Sequence, residues 1–430
     1  MTAEIAIMNK TAIALAADSA VTFGGEGRQK IFNTANKLFT LSKYHPVAVM
    51  IFGNAEIMNV PWEIIIKSYR NKLGERRFSR LGTYAEDFLG FLEKQRVLFP
   101  ASQQEQYFRT LVSAFYRHIR RQIEEEVQER LTKSEPLKPA EVGKITEEKI
   151  GSSFDELAKL KNLKGFGDGF GERLARKYGK ALEELRREIF QKLPLSLESL
   201  ARLKRMAGWL FARDNFRLNR NSGLVFAGYG AGEVFPSVRA FTVEGLIQNK
   251  LRYRLLAEQE VTLRNSACII PFAQSDVVRG FMDGIDPGME TLIREFLGQV
   301  LGQYPTALLG NIPNLSATKR KALATKLRGV SKKLLGGFDQ GFRRFQRETL
   351  VDPVLATVDV LPKDELAAMA ESLVNLTSFK RKFSMDAETV GGPIDVAVIS
   401  KADGFVWIKR KHYFAKDLNP QFLTNYYREA

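Results

Sequence analysis

Thr2 follows Met1 in a chain that opens MTAEIAIMNKTAIALAADSAV, and Asp18 ends the apolar run that begins there. A threonine hydroxyl is a weak nucleophile until a base takes its proton, so the question is what that base is. Histidine is nearly absent: His45, His118 and His412 lie far apart with no HxxxH spacing. A Ser-His-Asp triad and a His-rich metal site are therefore disfavoured, and no metal or cofactor is expected. The single cysteine, Cys268, excludes an intramolecular disulfide and a Cys-based zinc site. If the chain is an enzyme, its base is something other than histidine.

The elements that must position these residues can be read from periodicity. Residues 2–8 and 12–17 are short apolar runs split by Asn9-Lys10, a hairpin signal. KLFTL (37–41) and PVAVMIF (46–52) read as two further strands, the second apolar enough to be buried on both faces. Helical spacing follows over 54–73, with Asn54 as N-cap, and again over about 82–97. From about 100 to 219 the chain is rich in Glu, Lys, Arg, Leu and Gln, which predicts long solvated helices. The glycines of GFGDGFG (165–171) follow no strand, so a connector is expected rather than a phosphate cradle. Strand texture returns at 222–232, 234–245 and 265–273, and a helix is expected from about 275 to 300. A basic helical stretch occupies about 301–360, a further helix runs to about 381, and 391–410 reads as strand, turn at Ala402-Asp403-Gly404, strand. The predicted fold class is α/β (α+β): two stacked antiparallel sheets covered by helices, a four-layer αββα sandwich with helical insertions.

Composition sets the outer bounds. The 430 residues are 44% apolar, enough for a large core. No run reaches the ~20 apolar residues that span a bilayer, and no basic-then-apolar leader is visible at the start, so no membrane partner and a cytoplasmic setting are expected. The net charge of +16 points toward an acidic partner. Segment 319–347 concentrates that charge, with Asp339 and no other aspartate among its lysines and arginines. Nucleic-acid binding by this segment is a possibility, but a solvated helix face is the favoured reading.

Three blocks make the chain resemble a proteasome β-type subunit, of the N-terminal nucleophile hydrolase superfamily. The first is Thr2 through AADSAVT, with the spacing from Thr2 to Asp18 ungapped. The second is NKLF (36–39). The third and most specific is VGGPIDVAVISKADGFVWI (390–408), and FGNAE (52–56) matches a strand-to-helix junction. The resemblance covers 2–98, 221–300 and 361–415. It leaves 99–220 and 301–360 as helical insertions and 416–430 as a tail.

What the resemblance implies is threonine chemistry. Removal of Met1 leaves Thr2 with a free α-amine beside its own hydroxyl. An α-amine with a pKa of about 7.7–8.0 can accept the Oγ proton, as in Thr–N-terminus enzymes. By resemblance Lys37 is the catalytic ammonium, held by Asp18, and the backbone N–H of Met50 is the oxyanion donor. The places that orient the α-amine in the family are altered here, which leaves Ser275, Asp386 and Thr389 as auxiliary candidates. The implied activity is cleavage of peptide or protein amide bonds through an acyl-enzyme, in a homo-oligomer of rings or stacks, with an unfoldase as a further partner. Two alternatives stand beside it: an inactive proteasome-like scaffold whose basic insertions bind nucleic acid or an acidic protein, and an amidohydrolase acting on a small amide.

Overall fold

The computed structural model describes residues 3–23, 30–133, 138–215, 221–384, 390–412, 414–421 and 424. The chain contains two five-stranded antiparallel sheets and many helices. It divides into two compact units: Met1–Phe52, Ala227–Ser237 and Gln259–Ala430 form one, and Gly53–Phe226 with Val238–Glu258 the other.

In the first unit, β1 (Ala3–Asn9) and β2 (Ala12–Ala17) form the expected hairpin, Glu4 facing Ala17 and Met8 facing Ile13. Asn9 makes the turn by accepting from the backbone N–H of Thr11 and Ala12 through Oδ1, the local bonding that suits Asn to turns. Short strands β3 (Val21–Phe23) and β4 (Lys30–Phe32) follow, then β5 (Leu38–Thr40) paired with β6 (Val47–Gly53).

The second unit begins where a helix was expected over 54–73. Residues 56–61 instead form a small hairpin, β7 (Glu56–Ile57) and β8 (Val60–Pro61), and α1 starts only at Trp62 and ends at Leu73. Met58 and Asn59 both take positive φ, as a tight hairpin turn requires, and Pro61, which a helix interior disfavours, stands directly before the helix. Helix α2 (Leu81–Lys94) lies close to its expected span.

The stretch expected to be long solvated helices is instead a packed bundle: α3 (Ala101–Lys133), α4 (Pro139–Ala158), α5 (Phe170–Lys177), α6 (Gly179–Phe190) and α7 (Leu197–Ala212). Phe108, Tyr116, Ile119, Leu174, Met206 and Phe211 sit in its apolar core. Charge density hid this core, because Arg and Glu occupy the outer faces of helices whose inner faces are apolar. GFGDGFG is a connector into α5: Gly165 and Gly169 take positive φ while Phe166 and Phe170 are buried edge-to-face, 4.9 Å apart. Strands β9 (Ser222–Gly228), β10 (Ser237–Ile247) and β11 (Lys250–Glu260) follow in that order across the sheet. β11 was not anticipated, since its largely exposed run of charged residues carries no apolar pattern. Gln248 and Asn249, both at positive φ, turn β10 into it.

Back in the first unit, β12 (Ala267–Ala273) joins β1, with Ala273 opposite Ala3. The single helix expected over 275–300 is two, α8 (Asp276–Asp283) and α9 (Pro287–Gly310), broken at Gly284 with φ +70° and restarted by Asp286, whose carboxylate caps the amides of Gly288 and Met289. Helix α10 (Ala317–Phe345) leads through one wide turn, 346–351, to α11 (Asp352–Val360) and α12 (Lys363–Lys382). Strands β13 (Asp395–Ser400) and β14 (Gly404–Lys409) close the sheet β12-β1-β2-β13-β14. Ala3, Ile5 and Ile7 of β1 and Ala14 and Ala16 of β2 pack on Leu366, Ala370 and Val374 of α12. Strand alternation sends Glu4, Ile13, Leu15 and Ala17 to the opposite face.

Candidate active site

β2 is wholly buried and delivers Asp18, 1% exposed, at its C-terminal end. The Asp18 carboxylate accepts four hydrogen bonds. Oδ1 takes the Ala3 N–H at 2.9 Å and Lys37 Nζ at 2.6 Å; Oδ2 takes the Ala20 and Gly391 N–H groups, each at 3.1 Å. The Ala3 nitrogen is the amide that joins Thr2 to Ala3. One carboxylate thus ties together the start of β1, the residue before β5 and the glycine pair before β13, three segments remote in sequence.

The backbone around it repeats the same connections. Asp18 N–H donates to the Ala3 carbonyl and Ser19 N–H to the Gly391 carbonyl, both at 3.1 Å, and the Ser19 hydroxyl donates to Pro393. Gly392 has φ +77°, and a Cβ there would lie 2.7 Å from the Asn33 carbonyl oxygen, so the second glycine of the pair is required by both dihedral and space. Lys37 is 4% exposed. Burial pushes its ammonium pKa below the usual lysine value, opposed by the charges of Asp18 and Glu4.

Sequence reasoning passed over Glu4. It is 2% exposed, and neither carboxyl oxygen has a hydrogen-bond partner among the described residues. In the ladder it is flanked by Ala17 and Phe272, and Phe272 stacks on Phe52 with ring centroids 5.9 Å apart. Burial holds its carboxyl well above the ordinary carboxylate range; the Lys37 charge works against this and the Asp18 charge adds to it. The core therefore holds the Asp18–Lys37 ion pair and a Glu4 that favours its proton. The available signal was a lone carboxylate at an inward position of an otherwise apolar strand, which strand alternation would have placed beside Asp18.

The other expected residues fall as follows. Met50 lies mid-strand opposite Leu38 and is fully buried. The Ile51 N–H bonds the Lys37 carbonyl at 2.8 Å, so Met50 and Leu38 form a non-hydrogen-bonded pair and the Met50 N–H points away from β5. Ser275 follows β12 two residues beyond Ala273, the partner of Ala3. It is the N-cap residue of α8, though its hydroxyl caps no amide. Arg381 fixes this junction from α12, with two 2.8 Å bonds to Asp276 and a 2.6 Å bond to Gln274. Thr2, Asp386 and Thr389 lie outside the described residues. Among the described residues no group of three or more His, Cys, Asp or Glu side chains could hold a metal ion.

No family model matches this sequence, and no curated protein matches it. Similar solved structures include Anbu (Gly-1) mutant from Hyphomicrobium sp. strain MC1, at 11% identity over 100% of this chain and 94% of that one, with a TM-score of 0.27. Anbu (ancestral beta-subunit) from Yersinia bercovieri is also similar, at 11% identity over 98% and 96% of the two chains, with a TM-score of 0.26. Likeness at these scores carries no inference about this chain's activity.

Proposed function

We propose that the chain is an N-terminal threonine hydrolase that cleaves amide bonds in peptides through an acyl-enzyme on Thr2. The observation that carries this reading is the buried Asp18 clamp. The same carboxylate that holds Lys37 Nζ also holds the Thr2–Ala3 amide and the Gly391 N–H. A structural turn aspartate needs only the local Ala20 bond; the long-range bonds to an N-terminal amide and a buried ammonium support a positioning task.

In this reading the processed Thr2 α-amine takes the Oγ proton, directly or through water. The oxygen attacks the substrate carbonyl, the C–N bond breaks as the amine leaves with a proton, and water then hydrolyses the ester. Lys37 supplies positive charge that favours the oxyanionic form of the hydroxyl and keeps the α-amine neutral until it takes the Oγ proton. Asp18 fixes the ammonium. Glu4, whose burial favours the neutral carboxyl, competes for it less than an ordinary carboxylate would. The assembly that accompanies this reading is a homo-oligomer acting on peptide or protein substrates.

The test is hydrolysis of short N-acyl peptide amides by Thr2→Ala, Thr2→Ser and Lys37→Ala proteins. Thr2→Ala and Lys37→Ala should be comparably inactive, since residues acting as one unit are not additive, while Thr2→Ser retains activity. Wild-type turnover by Thr2→Ala would sink the reading.

A further inference from the structure

On the face of the first sheet turned away from α12, one cross-strand row runs Phe272, Glu4, Ala17, Asp395. Each residue is directly opposite the next, so neighbouring Cβ atoms stand about 4.5–5.5 Å apart. Ala17 separates the two acids with no more than a methyl group. Asp395 is 2% exposed, and Lys411, just past β14, donates to both of its oxygens: the backbone N–H to Oδ1 at 2.9 Å and Nζ to Oδ2. Beside the row lies Asp18, which directly follows Ala17, with Lys37 Nζ bonded to it at 2.6 Å. β12 brings only Phe272 to this level, and Phe52 of β6 stacks on that ring.

Among the described residues, five ionisable groups thus meet in one core. Four of them form two ion pairs, Asp18–Lys37 and Asp395–Lys411, with side chains at most 11% exposed. Each pair is neutral, so the fifth group, Glu4, sets the net charge of the cluster. It is also the one member whose polar atoms have no hydrogen-bond partner among the described residues. A buried polar group without a partner is costly, and an apolar side chain would fill this strand without that cost, as Ala6 and Met8 do on the same face. Packing alone therefore gives no reason for a carboxyl here.

Its proton gives one. Burial raises the Glu4 carboxyl and lowers the Lys37 ammonium, which brings their titrations together and couples them. Loss of the Lys37 proton would weaken a 2.6 Å bond and leave Asp18 uncompensated in the core. Loss of the Glu4 proton breaks no bond in the cluster and places a third carboxylate beside two ammoniums. As pH rises, Glu4 is the group that gives up its proton to solvent first.

We propose that Glu4 is a positioning residue that sets the alkaline limit of hydrolysis. With its proton, it leaves the Lys37 ammonium to Asp18 and the reacting oxygen. Without it, the Glu4 carboxylate attracts that ammonium and offsets its field. A second negative charge two residues along the chain from Thr2 also favours the protonated α-amine, which is no base. The nucleophile then loses both of its activations. This inference rests on the hydrolase reading and adds to it the group that ends activity as pH rises.

The test is the pH dependence of kcat on short N-acyl peptide amides for wild type, Glu4→Gln and Thr2→Ala. The wild-type rate should rise and then fall with pH. Glu4→Gln should keep the rise, while its fall moves up by about one pH unit or more. The sign is decisive. If the fall were deprotonation of Lys37 itself, an ionised Glu4 would delay it, and Glu4→Gln would bring it to lower pH. A fall that moves down, a fall that stays in place, or a wild-type rate with no fall would overturn the proposal. A Glu4 with a merely structural role would change the unfolding midpoint and leave the fall in place. Glu4→Met fills the strand without an ionisable group and should show the same upward shift, so it decides the matter if circular dichroism shows Glu4→Gln misfolded. Wild-type turnover by Thr2→Ala would end the hydrolase reading and this inference with it. An inactive Thr2→Ala beside an unmoved fall in Glu4→Gln would end this inference alone.

Discussion

Asp18→Asn perturbs the buried clamp at its centre. The carboxylate is side-chain inaccessible and accepts three backbone N–H groups besides the ammonium. The amide that replaces it keeps one accepting oxygen and turns its NH₂ toward groups that are themselves donors. Removing one partner of a buried ion pair costs about 3–5 kcal/mol, because the other charge remains buried and uncompensated. A buried donor left without an acceptor costs about 1–3 kcal/mol. The two overlap, so the expected loss is about 4 kcal/mol, a large part of a typical 5–15 kcal/mol of stability. Lys37→Met should cost less, since the carboxylate would still hold its three N–H donors. The decisive variant is the double, Asp18→Asn/Lys37→Met, which removes both charges. It should be more stable than Asp18→Asn alone by about 2 kcal/mol, so that the coupling, which adds the Lys37→Met cost to this difference, is well above the ~0.5 kcal/mol scatter of additive sites. Urea unfolding followed by circular dichroism and tryptophan fluorescence measures all four corners. If the two losses simply add, or if Asp18→Asn costs less than about 1 kcal/mol, the charge pair does not hold this site together.

Two further outcomes follow from the same neighbourhood. The folded state binds the Glu4 proton more tightly than the unfolded chain does, so its contribution is fully present below the ordinary glutamate pKa and is lost as pH rises toward the raised folded value. Glu4→Gln should remove that slope and leave the variant more stable than wild type at neutral pH, read as the difference in urea midpoint between about pH 5 and 8; a parallel pair of profiles would mean Glu4 is ionised in the folded protein. Gly392→Ala meets both a φ of +77° and a carbonyl oxygen 2.7 Å from the new Cβ, so it should cost about 1–3 kcal/mol in thermal unfolding and weaken the Gly391 bond to Asp18; an unchanged midpoint would mean the loop shifts freely.

The sequence carried the clamp because each of its parts sits at a strand end with a local signature. AADS ends β2, NKLF opens β5, and VGGPID precedes β13. Chain reversals of short apolar runs were legible for the same reason, as with Asn9-Lys10 and Ala402-Asp403-Gly404. The errors came where tertiary context overrode pattern. The helix expected from Asn54 yielded to a hairpin that two positive-φ residues and Pro61 stabilise. The bundle over 101–212 looked solvated because its inner faces are thin stripes in a charge-rich composition. Glu4 was hidden by its own strand, since one carboxylate among Ala, Ile and Met does not disturb an apolar run. β11 was missed because its long exposed tract is full of charge.

The central claim is that Thr2 is the processed N-terminus and the nucleophile. Intact and peptide mass spectrometry after treatment with a peptide epoxyketone addresses this directly, since that warhead closes a ring only with a hydroxyl and a free α-amine on one residue. The account predicts loss of Met1, one adduct per chain mapped to Thr2, and no adduct on Thr2→Ala. Retention of Met1 in protein that hydrolyses substrate, or an adduct elsewhere with Thr2 unmodified, would contradict it.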